Sequence, residues 1–397
     1  MLAQHYESML GGKSVIRELS EFATALGQKI GYENVFDYSL GNPSVPVPQA
    51  VTDTMIRLLR EKNPMELHGY SPSLGIPSVK EKIASYLDKK FGVPYKAEDI
   101  FPTSGAAGAI AHAIRAVTVP GDEVLTFAPY FPEYNPYVNG TGAVLKVVPA
   151  DTDSFQINFE VFEEMLTERT AAVLINTPNN PSGVVYSTLT IKKLAELLKK
   201  KSEEYGHTIY LISDEPYRDI VFAGVDAPFV SAYYENTLMC YSFSKSLSFP
   251  GERIGYVAVN PACPDAAKIV QMCGQISRET GHNCPASLIQ LTVAEHLEDT
   301  SDMSVYEKNK EILYRELKAL GFTCVEPGGT FYIFPKALEE DAKVFIEKAK
   351  KYNLILVPGD SFGCPGYFRM AYCIDTEKVE RSLDALKEFV EKEYKQR

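Results

Sequence analysis

Apolar positions recur at helical spacing over residues 13–30, at Ile16, Leu19, Ala23, Leu26 and Ile30. The spacing predicts an amphipathic helix that packs on the body or on a partner subunit. A loop rich in Gly and Pro follows, Tyr38-Ser-Leu-Gly-Asn-Pro-Ser with Pro46 and Pro48. Helices predicted over 49–62 and 79–91 flank a second irregular loop, 67–78. From residue 99 short apolar runs alternate with helical patterns. Strands are predicted over 100–103, 122–127, 143–148, 171–176 and 208–213, and helices over 105–117, 159–166 and 189–204. This alternation predicts a mostly parallel sheet covered on both faces. Beyond residue 260 the pattern is α+β: helices over 262–279, 285–298, 302–320, 339–350 and 376–393, with short strands near 322–334, 353–357 and 367–372. The expected division is a large domain, 49–285, and a smaller α+β domain built from both termini, 1–48 and 286–397.

Composition narrows the class. The 397 residues are 45% hydrophobic and 23% charged, ordinary for a globular protein long enough to bury a large core. A net charge of −12 argues against nucleic acid as the main partner, although an anionic small molecule needs only a local positive site. Seven cysteines, an odd number with no CxxC, fit free thiols in a reducing cytosol. No basic n-region with an apolar h-region opens the chain, and no apolar run approaches a membrane span, so a cytoplasmic protein is expected. No metal site is expected: the six histidines show neither HxxxH nor Cys/His spacing, and neither GxGxxG after the first strand nor GxxxxGK[ST] occurs.

Candidate chemistry collects at predicted strand ends, where ligands bind in open α/β sheets. Lys245 lies in Tyr241-Ser-Phe-Ser-Lys-Ser, between two apolar runs, with Arg253 eight residues on. A partly desolvated lysine supplies a neutral amine that can attack a carbonyl, and hydroxyls with an arginine fork suit a phosphate; a solvated loop lysine is the plain alternative. Thr103-Ser-Gly-Ala-Ala-Gly-Ala, where a strand passes into a helix, offers free N–H groups to an anion, or simply close packing. In Pro129-Tyr-Phe-Pro-Glu-Tyr, Phe131 is a candidate for stacking on a planar ring, or a core aromatic. Asn180, in Asn176-Thr-Pro-Asn-Asn-Pro-Ser-Gly, could donate to a ligand oxygen or stabilise a turn. Asp214 ends a strongly apolar strand, where a carboxylate needs a partner such as a protonated heterocyclic nitrogen; Tyr217 follows with a phenol. Arg369 sits in the apolar run Tyr367-Phe-Arg-Met-Ala-Tyr and needs an anion, a ligand carboxylate or an internal salt bridge.

Together and in order, these motifs resemble the class I/II, fold-type I pyridoxal-phosphate (PLP) aminotransferases, especially the aspartate-aminotransferase-like group, over nearly the whole chain. The resemblance implies an α/β fold with a large and a small domain. It makes Lys245 the Schiff-base lysine and general acid/base, and Asp214 the partner of the pyridine nitrogen. Tyr217 and Asn180 would bond the 3-oxygen, and Phe131 would stack on the ring. Ser104, Gly105, Ala106, Ala107, Ser242 and Arg253 would form the phosphate cup. Tyr70 would reach the phosphate of a neighbouring subunit. Gly41, Asn180 and Arg369 would bind substrate, with Arg369 clamping the α-carboxylate. Ala106 and Ala107 stand where the family often has a hydroxyl, so the cup leans on backbone N–H groups, Ser104 and Ser242. Asn-Pro-Ser-Gly replaces the commoner Asn-Pro-Thr-Gly. Arg278, upstream of Asn283-Cys-Pro-Ala, resembles the arginine that reaches a dicarboxylate's side chain from the partner subunit; a helix-end surface arginine is its alternative.

The implied reaction is ping-pong transfer of an amino group between an L-amino acid, with aspartate or another dicarboxylic acid a candidate, and a 2-oxo acid, in a homodimer with shared sites. A C–S β-lyase on the same scaffold and a non-enzymatic ligand-sensing regulator are the competing readings. The regulator is disfavoured because such proteins carry a separate basic DNA-binding domain.

Overall fold

The computed structural model describes residues 2, 6–7, 10 and 14–395. The first position of the helix expected over 13–30 lies outside them; the rest forms Val15–Ile30.

Seven strands build the central sheet: β1 Ile100–Thr103, β2 Glu123–Phe127, β3 Val144–Val148, β4 Thr170–Asn176, β5 Tyr210–Asp214, β6 Thr237–Ser242 and β7 Gly255–Val259. Their spatial order is β1-β7-β6-β5-β4-β2-β3. Pairings among β2 to β6 are parallel, and only β7 runs against its neighbours. Every residue of β6 and β7 is buried, as a sheet covered on both faces requires. One cover is the small-residue helix Gly105–Val117, which lays Ala109, Ile110 and Ala113 against Leu174, Ile212 and Val257. On the other face Ile191, Leu194 and Leu198 of helix Thr188–Tyr205 pack on Val173 and Leu211. That helix is capped by Ser187, whose side chain accepts from Thr190 N, and stopped by Gly206 in the left-handed region.

The second body is a three-stranded antiparallel sheet, Val357–Pro358 / Phe368–Ala371 / Tyr332–Ile333, with Phe36–Asp37 paired in parallel to Leu354–Ile355. Helices Ser304–Ala319, Ala342–Ala349 and Thr376–Val390 cover it around Leu313, Phe345, Phe368 and Phe389. The helix Val15–Ile30 buries Leu19 and Ala23 against Phe334, Ile355 and Val357 of this body.

Three local expectations are corrected. The loop 67–78 overlaps a short helix, Pro64–His68, started by Asn63 accepting from Met65 N and by Pro64 at its first turn. The run 322–334 forms a strand only at Tyr332–Ile333; Gly328, Gly329 and a left-handed Thr330 (φ +65°) prevent a longer one. The loop expected after β6 holds a helical turn, Phe243–Ser246, capped by the Ser242 side chain accepting from Ser244 N, and this turn carries Lys245.

Candidate active site

The carboxyl ends of β4, β5 and β6 and the start of helix Gly105–Val117 open on a cavity of about 290 Å³. Parallel register sets Asn176 beside Asp214 across β4 and β5. The cavity is lined by Gly41, Ala106, Ala107, Phe131, Asn180, Asp214, Tyr217, Ser242, Lys245, Arg253 and Arg369. Residues scattered over more than 300 positions thus meet in one cavity. Ser104 and Gly105 stand at the rim: Ser104 faces an adjoining cavity, and Gly105 makes the turn into the helix at φ +74°. Tyr70 is fully exposed, and Arg278 is exposed on the last turn of helix Ala266–Thr280; neither lines this chain's own cavity.

The cavity is lined by one buried carboxylate, Asp214, and by the cationic side chains of Lys245, Arg253 and Arg369. Asp214 Oδ2 accepts from Tyr134 Oη at 2.6 Å and from Asn176 Nδ2 at 3.4 Å. Among the described residues, its buried Oδ1 has no hydrogen-bond partner. Burial raises the carboxyl to about 7, opposed by the Tyr134 hydrogen bond and assisted by the charge of Glu215. Lys245 is half-buried, and its Nζ donates to Gly41 O at 2.7 Å. Burial pulls its ammonium down to about 8; the Cys373 thiol opposes this, and the charges of Arg369 and Arg253 add to it. Arg369, 2% exposed, donates from Nη1 to Asn180 Oδ1 at 3.0 Å and from Nη2 to Ser39 O at 2.5 Å, while its Nε has no partner among the described residues. Arg253 Nη1 donates to Pro250 O at 3.0 Å, and a Cβ on Gly105 would come within 3.0 Å of Arg253 Nη2. Phe131 lies edge to face with Tyr134, ring centroids 5.8 Å apart.

Tyr134, Asn176, Ser244, Tyr332 and Ile16 also belong to the site, and sequence reasoning missed them. Tyr134 stood three residues past Phe131 in a motif already singled out, and Asn176 opened another. Ser244, which lines the cavity, shares a 2.6 Å hydrogen bond with Ser242. Tyr332 and Ile16 line the cavity from the second body and from its helix, and no local motif marks either. One consequence is testable. Tyr134→Phe removes a 2.6 Å hydrogen bond to a buried carboxylate and is expected to destabilise the cofactor-free protein by about 1–3 kcal/mol. The loss should be larger at pH 9, where Asp214 is ionised, than at pH 5, as urea midpoints at the two pH values will show.

An unpartnered buried carboxylate oxygen, a half-buried lysine, a helix start with an arginine beside it and a buried arginine in one cavity at the strand ends fit the site of a fold-type I PLP enzyme. The unpaired Asp214 Oδ1 suits a protonated ring nitrogen, and the Gly105 turn with Arg253 suits a phosphate. The comparisons agree. The profile of the aminotransferase class I and II family matches residues 33–386, and the chain belongs to that family. It is 33% identical over 376 residues to a probable aspartate/prephenate aminotransferase of Aquifex aeolicus, covering 90% of this chain and 91% of that one. It is 31% identical over 378 residues to an aspartate aminotransferase of Thermotoga maritima, covering 94% and 95%. A crystal structure of an amino transferase from Eubacterium rectale superposes with a TM-score of 0.96 at 44% identity, covering 99% of this chain and 100% of that one. The protein is a PLP-dependent aminotransferase, transferring amino groups between amino acids and 2-oxo acids. These relatives favour transfer over the lyase reading.

Proposed function

We propose that the 290 Å³ cavity performs this transfer with the following division of labour. When bound, PLP supplies the electron sink that makes the substrate's Cα–H bond labile. Asp214 would hold the ring nitrogen protonated; its Oδ1 has no partner among the described residues, and Asp214 lines the same cavity as Lys245 and Arg369, which is the observation that carries this reading. Tyr217 and Asn180 would hold the 3-oxygen, and Phe131 would cover the ring. The backbone N–H groups of Ala106 and Ala107, with Arg253, Ser242 and the neighbouring Ser244, would hold the phosphate; Ser104 and Gly105 shape that turn. Arg369 would bind the α-carboxylate, fixed beforehand by Asn180 and Ser39 O, beside Gly41. Lys245 Nζ would take the proton from the substrate Cα. Its lowered pKa gives a substantial neutral fraction near pH 8.

The substrate class proposed is dicarboxylic, with aspartate foremost, as in the names of the Aquifex and Thermotoga relatives. Among the described residues, the cavity's own cationic side chains are Lys245, Arg253 and Arg369. A second substrate carboxylate therefore calls for Arg278 of another copy, and the phosphate for Tyr70 of another copy. We accordingly propose a homodimer with shared sites, working in the cytoplasm; among the described residues no helix is long and apolar enough to cross a membrane. The two-body division is drawn as 49–285 against 1–48 with 286–397. Ile289, Val293 and Ala294 pack with Val51 and Ile83, which supports moving the second crossing past residue 297.

The test offers single amino acids to the purified enzyme and follows transfer to 2-oxoglutarate or pyruvate. Aspartate should be a donor. Arg278→Leu should lower kcat/KM for aspartate about 30-fold or more, as loss of a buried charge partner does, and leave alanine within about threefold. No transfer from any amino acid would sink the reading. An equal effect on both donors would remove Arg278 from it.

A further inference from the structure

Tyr332 stands where several functional groups meet. It opens the strand Tyr332–Ile333 and pairs with Ala371, two residues past Arg369. Its backbone N–H donates to Thr330 Oγ1 at 3.0 Å. Thr330 is held in the left-handed region, φ +65°, which a β-branched residue rarely adopts. Its N–H donates to Ile220 O at 2.9 Å, and its O accepts from Tyr372 Oη at 3.4 Å. A strained, anchored turn therefore aims the Tyr332 phenol into the cavity.

Three contacts surround that phenol. The Arg369 guanidinium lies over the Tyr332 ring, 4.7 Å from its centroid. The Tyr332 hydroxyl is 3.1 Å from the Tyr217 hydroxyl, with the rings edge to face. On the third side is Gly41, where an added Cβ would fall 1.8 Å from Tyr332 Oη; Gly41 O is the acceptor of Lys245 Nζ. The absence of a side chain at position 41 is what lets the phenol approach.

We propose that Tyr332 is a positioning residue that relays the charge state of the carboxylate site at Arg369 to the Tyr217 phenol. The inference rests on the assignment of Tyr217 to the cofactor's 3-oxygen made above. Arg369 lies 4.7 Å from the Tyr332 centroid, closer than Lys245 Nζ lies to the Tyr217 centroid at 5.9 Å, and the nearer cation makes Tyr332 the more acidic phenol, hence the donor of the Tyr332–Tyr217 hydrogen bond. Tyr217 then keeps its own O–H for the 3-oxygen, and hydrogen bonds in a chain strengthen one another. A substrate carboxylate neutralises Arg369, weakens Tyr332 as a donor and so weakens Tyr217. The other ionisable groups bearing on Tyr332 are the Cys373 thiol and, across Gly41, Lys245. A parallel connection runs from Arg369 Nη1 to Asn180 Oδ1, so Tyr332 carries only part of the coupling.

The test is a pH titration of the bound cofactor's visible absorbance in the holoenzyme, with and without saturating propionate as the carboxylate. Tyr332→Phe keeps the ring over Arg369 and removes only the hydroxyl. It is expected to raise the midpoint by at least about 0.3 pH unit, because the 3-oxygen loses part of its hydrogen bond. It is also expected to cut the propionate-induced shift by about half. Tyr217→Phe should raise the midpoint further, and adding Tyr332→Phe to it should change nothing more, since Tyr332 acts through Tyr217. A Tyr332→Phe midpoint nearer the parent than that, an undiminished propionate effect, or additive midpoints in the double variant would overturn the relay. If Tyr217→Phe also leaves the midpoint unmoved, the assignment of Tyr217 itself fails and takes the relay with it.

Discussion

Lys245→Ala is expected to fold, to bind PLP and to lose amino transfer by about 10⁴-fold, near the top of the range for a positioned acid/base. Among the described residues the amine has no carboxylate partner: Nζ donates to Gly41 O, and Arg369 and Arg253 are the cations that disfavour its charge. Removing it therefore orphans no anion, and the cofactor-free variant should melt no lower than the parent. Single-turnover rates with aspartate, read beside thermal melts, check both halves. Transfer within about tenfold of the parent would remove Lys245 from the chemistry. A collapse in melting temperature would make its role structural.

Asp214→Asn should cost about 10³-fold in transfer, since an amide cannot supply the negative charge that the ring nitrogen needs. It should also change stability with pH in the cofactor-free protein, and the sign is fixed by burial. Asp214 titrates at about 7 in the folded chain against an ordinary 3.8. Between those values the folded state holds a proton that the unfolded state has released, so the parent loses stability as pH rises from about 4 to 7. Asn carries no such proton. The stability of Asp214→Asn relative to the parent should therefore climb across that window and level off above it. Glu215, also raised to about 7 by burial, sits in both proteins and largely drops out of the difference. Urea midpoints of both proteins from pH 4.5 to 8 read this out; parallel curves would mean that Asp214 is already ionised in the folded protein at low pH.

Much of the site is local chemistry and is therefore legible along the chain. Asp214 at the end of an apolar strand, Lys245 between two apolar runs, and Gly105-Ala-Ala at a strand-to-helix turn each carry their meaning within about ten residues, because parallel strands deliver their carboxyl ends to one edge. The alternation of short apolar runs with helices likewise sufficed for the sheet. Tyr134 and Asn176 lay inside motifs already in view, but which side chain of a motif faces a carboxylate depends on register between strands, and one sequence does not display register.

The amino-acid order by itself thus determined the class of fold, the cofactor and most of the groups that would hold it. Tertiary structure decided the rest. It folded Thr330 into a left-handed turn that brings Tyr332 against Arg369, Tyr217 and Gly41. It laid Ile16 of the amino-terminal helix over the cavity, and it left Tyr70 and Arg278 on the surface of their own chain. The physical reason is range. Periodicity and turn chemistry act over a few residues, whereas the meeting of Gly41, Tyr217, Tyr332 and Arg369 is set by a core that packs Tyr217 and Ile220 with Tyr332 and Phe368, far apart in the chain.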